Sequence, residues 1–129
     1  MKQKKIVCFV RGGLGNQCFL YAAARSLADA TASRLELDLG KFAADIVYNR
    51  AYELDALNVR VDHVVAVTAT LVQLFRSVRY RLLSKSVEHV GNYWCEKRPC
   101  KFQTFPAHRG NTVCLDGYWQ SELYFSAHA

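Results

Sequence analysis

The stretch Lys5-Ile6-Val7-Cys8-Phe9-Val10-Arg11-Gly12-Gly13-Leu14-Gly15-Asn16-Gln17 sets the architecture. Lys5 to Val10 is an unbroken run rich in β-branched and aromatic residues and reads as a buried strand. Arg11 to Gly15 is a glycine-rich turn. Asn16 is of the residue type that caps helices, because its side chain accepts from a free backbone N–H. The pattern then predicts a helix to about Ala32, with Phe19, Ala23, Leu27 and Ala30 on one face. Leu35 to Leu39 alternates apolar and acidic residues and reads as a second strand. Strand, glycine turn, helix, strand is a βαβ unit, which predicts an α/β fold: a Rossmann-like parallel sheet with flanking helices.

Further along, Gly40 to Leu57 is irregular and Val61 to Val67 reads as a third strand. Thr68 to Leu83 carries Leu71, Leu74, Phe75, Val78 and Leu82 at helical spacing, with Gln73, Arg76 and Arg79 opposite. Val87 to Trp94 reads as a strand and Glu96 to Asn111, which holds both prolines, as a loop. Thr112 to Leu115 reads as a short strand, and Ser121 as the cap of a final turn. No repeat or linker interrupts the 129 residues, so residues 1–129 are expected to form one α/β domain.

Hydrophobic residues make up 51% of the chain, with Pro 2 and Gly 7, a composition that excludes disordered and collagen-like classes. Lys plus Arg is 17 against 11 Asp plus Glu, a formal charge of +6 that favours anionic partners. Cysteines stand at 8, 18, 95, 100 and 114, with no C-x-x-C pair. Cys95 and Cys100 are at the edge of zinc spacing without a matching His pair, so no metal is expected. Reduced thiols in a cytoplasmic protein are the simpler reading, with Cys8 and Cys18 packed as small apolar residues. After Met1-Lys2-Gln3-Lys4-Lys5, the run Ile6 to Val10 is shorter than the about 7–15 residues of a signal h-region. Val64 to Phe75 falls short of the roughly 20 residues that span a bilayer. The Arg76, Arg79 and Arg81 face reads as a solvated helix surface. It also suits peripheral contact with an anionic membrane.

Glycines after a strand let the backbone approach a ligand, and the following helix offers unpaired N–H groups and a positive dipole end. That is an anion site, suited to phosphate or diphosphate. A P-loop is excluded, since no Lys-Ser/Thr follows. The dinucleotide fingerprint is partly present in Gly13-Leu14-Gly15-Asn16-Gln17-Cys18, with Cys18 in place of its third glycine and Asp38 near the ribose-binding position. A dinucleotide-binding domain of an oxidoreductase is therefore one alternative. A basic nucleic-acid-binding module is another, resting on charge alone.

Taken whole, Gly12-Gly13-Leu14-Gly15-Asn16-Gln17-Cys18-Phe19-Leu20-Tyr21-Ala22 resembles the opening G-G-L-G-N-Q-M-F-Q-Y-A motif of the α-1,2-fucosyltransferases, glycosyltransferase family 11. Cys18 replaces its Met and Leu20 its Gln. Leu37-Asp38 with Phe42, then Arg50-Ala51-Tyr52-Glu53-Leu54, resembles the next block. Gly117-Tyr118-Trp119-Gln120-Ser121-Glu122, followed by Tyr124-Phe125, resembles the G-Y-W-Q-S-E-x-Y-F block. The family's donor signature, H-x-R-R-x-D, does not occur; His108-Arg109-Gly110 departs from it. The chain thus resembles the N-terminal half of a GT-B-type enzyme without its C-terminal donor-binding domain, and is expected to be inactive alone.

The resemblance implies inverting transfer of L-fucose from GDP-fucose to the 2-hydroxyl of a galactose-containing glycan, with neither cofactor nor nucleic acid involved. It implies that Gly13, Gly15 and Asn16, with Gln17 in the same G-x-x-G-N-Q loop, approach the donor. Asn16 also reads as a plain helix cap, Gln17 as a first-turn surface residue and Arg11 as a solvated loop residue. Asp38 is a candidate for a polar contact at the carboxyl end of its strand, or a strand-end turn former. Tyr118, Trp119 and Gln120 offer a stacking surface and an amide to a sugar, although core packing is the first reading of the two aromatics. Glu53, Asp116 and Glu122 are available as a general base, and spacing selects none.

Overall fold

A computed structural model describes residues 3–43, 48–65, 89–90, 93–96, 102, 105 and 110–126. Strand β1 (Lys5–Phe9) leads through the glycine turn into helix α1 (Leu14–Ala30), which returns to β2 (Arg34–Asp38). A four-residue helix α2 (Gly40–Ala43) and a 3-10 turn (Leu54–Leu57) precede β3 (His63–Val65). Then come β4 (His89–Val90), β5 (Tyr93–Cys95) and β6 (Thr112–Asp116), followed by a 3-10 turn at Glu122–Tyr124. The strands form one sheet in the order β3-β2-β1-β6-β5-β4. Every neighbouring pair is parallel except β4 and β5, which are antiparallel. The architecture is α/β.

The sequence reading of β1, β2 and β6 holds within a residue at each end, whereas α1 begins three residues before the start that an Asn16 cap predicts and ends two residues before Ala32. The single strand expected over Val87–Trp94 is instead two, β4 and β5, paired antiparallel in the register His89 to Trp94 and Val90 to Tyr93. The expected Thr68–Leu83 helix, with its Arg76, Arg79 and Arg81 face, lies outside the described residues, as do Cys100 and His108-Arg109. Among the described residues no helix is long and apolar enough to cross a membrane.

Helix α1 buries Ala23 and packs Leu27 against the core as expected, but the rest of its buried face differs from the one expected. Gln17, Leu20, Ala23, Ala24, Ser26 and Ala28 are buried, whereas Phe19 and Ala30 are exposed. Alanines lie all round this helix, so apolarity alone does not orient it. Ala24 and Ala28 have the small side chains that allow close approach to a sheet. Phe19 turns outward and meets Phe125 at 6.1 Å between ring centroids. Under the helix, Ile6, Cys8, Leu35, Leu37, Val113 and Leu115 are fully buried, each large aliphatic contributing about 1.5–3 kcal/mol by leaving water. Burial pushes the Cys8 thiol up to about 12, so it is a packing residue and not a nucleophile.

β3 is held on β2 by side chains as well as by its ladder. The Asp62 carboxylate accepts from the Leu35 N–H at 2.7 Å and from Arg25 at 3.4 Å. The Tyr21 hydroxyl donates to the Arg60 carbonyl at 2.8 Å, and Arg60 reaches Asp29 at 3.0 Å. The Leu35 N–H, first, and Arg25 then hold the Asp62 carboxyl below its usual 3.8, burial opposing them. A depressed carboxyl contributes stability that is present above its unfolded value and lost as pH falls through the folded one. Thermal melts from pH 7 to pH 3 should therefore show Asp62→Asn less stable than wild type at neutral pH, the gap closing below about pH 4. A gap constant with pH would show that the charge contributes nothing.

Candidate functional site

The glycine turn is shaped by two glycines with different tasks. Gly12 sits at φ +82°, where a side chain is strained, and a Cβ there would lie 2.8 Å from Asn16 Nδ2. Gly13 is the extended N-cap of α1 and supplies no side-chain cap, so the first turn keeps unpaired N–H groups. This corrects the expectation for Asn16: the helix begins at Leu14, and Asn16 stands inside its first turn. Gly15 is exposed with open space around its Cα.

Gln17, expected at the surface, is fully buried. Its Nε2 donates to the Gly12 carbonyl at 2.9 Å and to the Ala51 carbonyl at 2.8 Å, and its Oε1 accepts from the Glu53 N–H at 2.9 Å. One amide thus fastens the Ala51–Glu53 segment against the glycine turn, bringing Arg50 to 3.1 Å from the place a Gly13 Cβ would occupy.

A second set of residues comes from the carboxyl end of β6. Asp116 is buried and receives Lys41 Nζ at 2.6 Å and Arg11 at 3.4 Å. Arg11 lies over the Tyr118 ring at 4.5 Å, and Lys41 is 5.4 Å from the centre of the Phe9 ring. The turn after Asp116 is tightly built. Glu96 accepts from the Tyr118 and Trp119 N–H groups at 3.0 and 3.1 Å. Gly117 is packed so closely that a Cβ would lie 2.4 Å from Glu96 Cβ. Trp119, at φ +51°, is buried against Phe105 and Tyr124.

Between these two sets lies an open cleft of about 430 Å³ lined by Arg11, Gly12, Gly13, Asn16, Lys41, Phe42, Tyr48, Arg50 and Tyr118. It opens beyond the carboxyl ends of β1 and β6. There the chain order reverses, β2 lying on one side of β1 and β6 on the other. In open α/β sheets that switch point is where ligands bind. The glycine turn with its helix N-terminus, together with Arg11 and Lys41, suits an anion.

Of the sequence candidates, Gly13 and Asn16 line this cleft and Gln120 is tied to Asn16 by a side-chain hydrogen bond. Gly15 lies outside the lining, and Gln17 is spent on backbone groups. Asp38 is 4% exposed and its Oδ1 accepts from the Gly40 N–H at 2.9 Å, the geometry of a turn former. The dinucleotide reading would need that carboxylate to face a ribose. Trp119 is in the aromatic core. Among the candidate bases, Asp116 is bound to two of the cleft cations, Arg11 and Lys41, while Glu122 is exposed in the final 3-10 turn. The sequence does not mark Lys41, Phe42, Tyr48 and Arg50 as cleft residues, because the segment Gly40 to Leu57 that carries them has no period to place it. Among the described residues no group of His, Cys, Asp or Glu could hold a metal ion.

These features define an α/β chain with a basic cleft at its switch point. No protein-family model, curated protein or solved structure matches it.

Two pairs of variants test this construction by denaturant unfolding. Gly117→Ala should cost about 2 kcal/mol or more by overpacking, whereas Gly15→Ala should gain up to about 1 kcal/mol in an open helical position. Gln17→Leu keeps the volume but strands three backbone groups and should cost about 3 kcal/mol, against under about 1 kcal/mol for Asn16→Ala. Equal costs within either pair would contradict the geometry.

Proposed function

We propose that this chain is the N-terminal α/β half of a GT-B-type α-1,2-fucosyltransferase and that its cleft receives the diphosphate of GDP-fucose. The observation that carries the reading is the cleft itself: a glycine turn, a helix N-terminus without a side-chain cap, Arg11 and Lys41 converge at the switch point between β1 and β6. The three sequence blocks that resemble the family supply the turn, the Arg50–Leu54 segment pinned by Gln17, and the turn after β6.

In the proposed reaction the 2-hydroxyl oxygen of a galactose-like acceptor attacks C1 of fucose from the face opposite the diphosphate. The C1–O bond to the diphosphate breaks as the new bond forms, through an oxocarbenium-like state, and the hydroxyl proton passes to a base. Negative charge accumulates on the leaving diphosphate, and donors already in place there lower the barrier without reorganising. Gly13 N–H, Asn16, Arg11 and Lys41 are the groups of this chain suited to that task. Asp116 holds Lys41 and Arg11 against the cleft, so their long side chains are ordered before a ligand arrives.

Isothermal titration with GDP-fucose, pyrophosphate and NAD tests this. GDP-fucose should bind and pyrophosphate compete with it, Lys41→Ala or Arg11→Ala should each weaken binding roughly tenfold, and NAD should not bind. Absence of GDP-fucose binding, or NAD binding that Asp38→Ala weakens, would overturn the reading. Fucose transfer is not expected from this chain, which contains no H-x-R-R-x-D.

A further inference from the structure

Asn16 is the one amide side chain lining the cleft among the described residues, and which end of it faces a ligand matters. Its NH₂ would donate to an anion; its oxygen would repel one. The structure fixes the choice from the far side of the sequence. Gln120 Nε2 donates to Asn16 Oδ1. With its oxygen engaged there, Asn16 holds Nδ2 over Gly12, where an added Cβ would lie 2.8 Å from it. Gly12 and Asn16 both line the cleft, and with Oδ1 engaged by Gln120 the NH₂ is the end of the amide left for a ligand there.

Gln120 can set this orientation because its own backbone is anchored on both sides. Before it, Trp119 is 4% exposed in the aromatic cluster and its N–H is held by Glu96. After it, the Ser121 N–H donates to the Trp119 carbonyl at 2.9 Å, and the Ser121 side chain caps the 3-10 turn through the Leu123 N–H. Asn16 stands on α1, whose first turn is fastened by Gln17. Two rigid supports therefore face each other across the short Asn16–Gln120 contact.

We infer that Gln120 is a positioning residue: it sets the Asn16 amide so that Nδ2 donates to a phosphate oxygen in the cleft. This rests on the reading of the cleft as a diphosphate site, and it predicts an order of effects that a merely structural contact would reverse. Gln120→Ala removes the contact and lets the amide rotate. Gln120→Glu keeps a hydrogen bond to Asn16 but inverts it. A carboxylate only accepts, so Asn16 must turn its NH₂ away and present its oxygen to the ligand.

The test is pyrophosphate and GDP-fucose titration of the 129-residue chain with four variants: Gln120→Ala, Gln120→Glu, Asn16→Ala, and Asn16→Ala combined with Gln120→Glu. Thermal melts accompany each. Gln120→Ala should weaken binding roughly threefold and Gln120→Glu roughly thirtyfold, with Gln120→Glu melting at or above Gln120→Ala. In the Asn16→Ala background, Gln120→Glu should weaken binding only about threefold, the remainder being repulsion by the added charge. The inference is overturned if Gln120→Glu costs as much without Asn16 as with it, or if Gln120→Ala is the more damaging single change. Binding by wild type with all variants unchanged would overturn the inference and leave the cleft reading standing; no binding by wild type would overturn both.

Discussion

The buried amide of Gln17 joins three backbone groups from two segments that the chain keeps far apart. Gly12 and Ala51 carbonyls and the Glu53 N–H all converge on it. A buried backbone group without a partner costs about as much as a lost hydrogen bond, and here three are satisfied by one side chain. Among the described residues that amide is the polar anchor of the Ala51–Glu53 segment to the glycine turn. Without it one wall of the cleft, with Arg50 on it, would lose that support. The turn after β6 is secured in a parallel way by Glu96, whose two carboxylate oxygens take consecutive N–H groups. Polar side chains fix the loops that carry the site, alongside apolar anchors such as Leu54 and Trp119.

Local pattern was enough for the elements whose residues state their own environment. Ile6 to Phe9 is apolar on both faces and lies between β2 and β6, both parallel to it. Ser121 was readable as a cap because the cap is a contact between near neighbours. The orientation of α1 was not readable. Ala22, Ala23, Ala24, Ala28 and Ala30 present small apolar surface in several directions, and only the sheet decides which is covered. Asn16 has the right chemistry for a cap, but Gly13 begins the helix earlier and leaves it inside the first turn.

The cleft was legible by half. The glycine turn announces itself, since its residues are consecutive. Lys41 and Asp116 meet across 75 positions at 2.6 Å, and nothing local marks either as the other's partner. Gln17 shows the same limit from the opposite side. A glutamine in a first helical turn is ordinarily solvated, and its burial follows only from the return of Ala51 and Glu53. Such residues are recognised by what comes back to them, which sequence spacing does not encode.

The strand order has a consequence for how the chain reaches its native state. β6 lies between β1 and β5, so the centre of the sheet is closed by the last strand described, more than a hundred positions after the first. Contacts of that span pay their loop-closure entropy before they are rewarded, which slows folding. During synthesis β1 emerges early and can pair with β2 at once, while its other edge stays open until β6 is made. An unpaired central strand that is apolar from Ile6 to Phe9 is a template for association with other chains. The same insertion that unites Arg11 with Asp116 also removes that edge, so assembly of the cleft and protection from aggregation are one event.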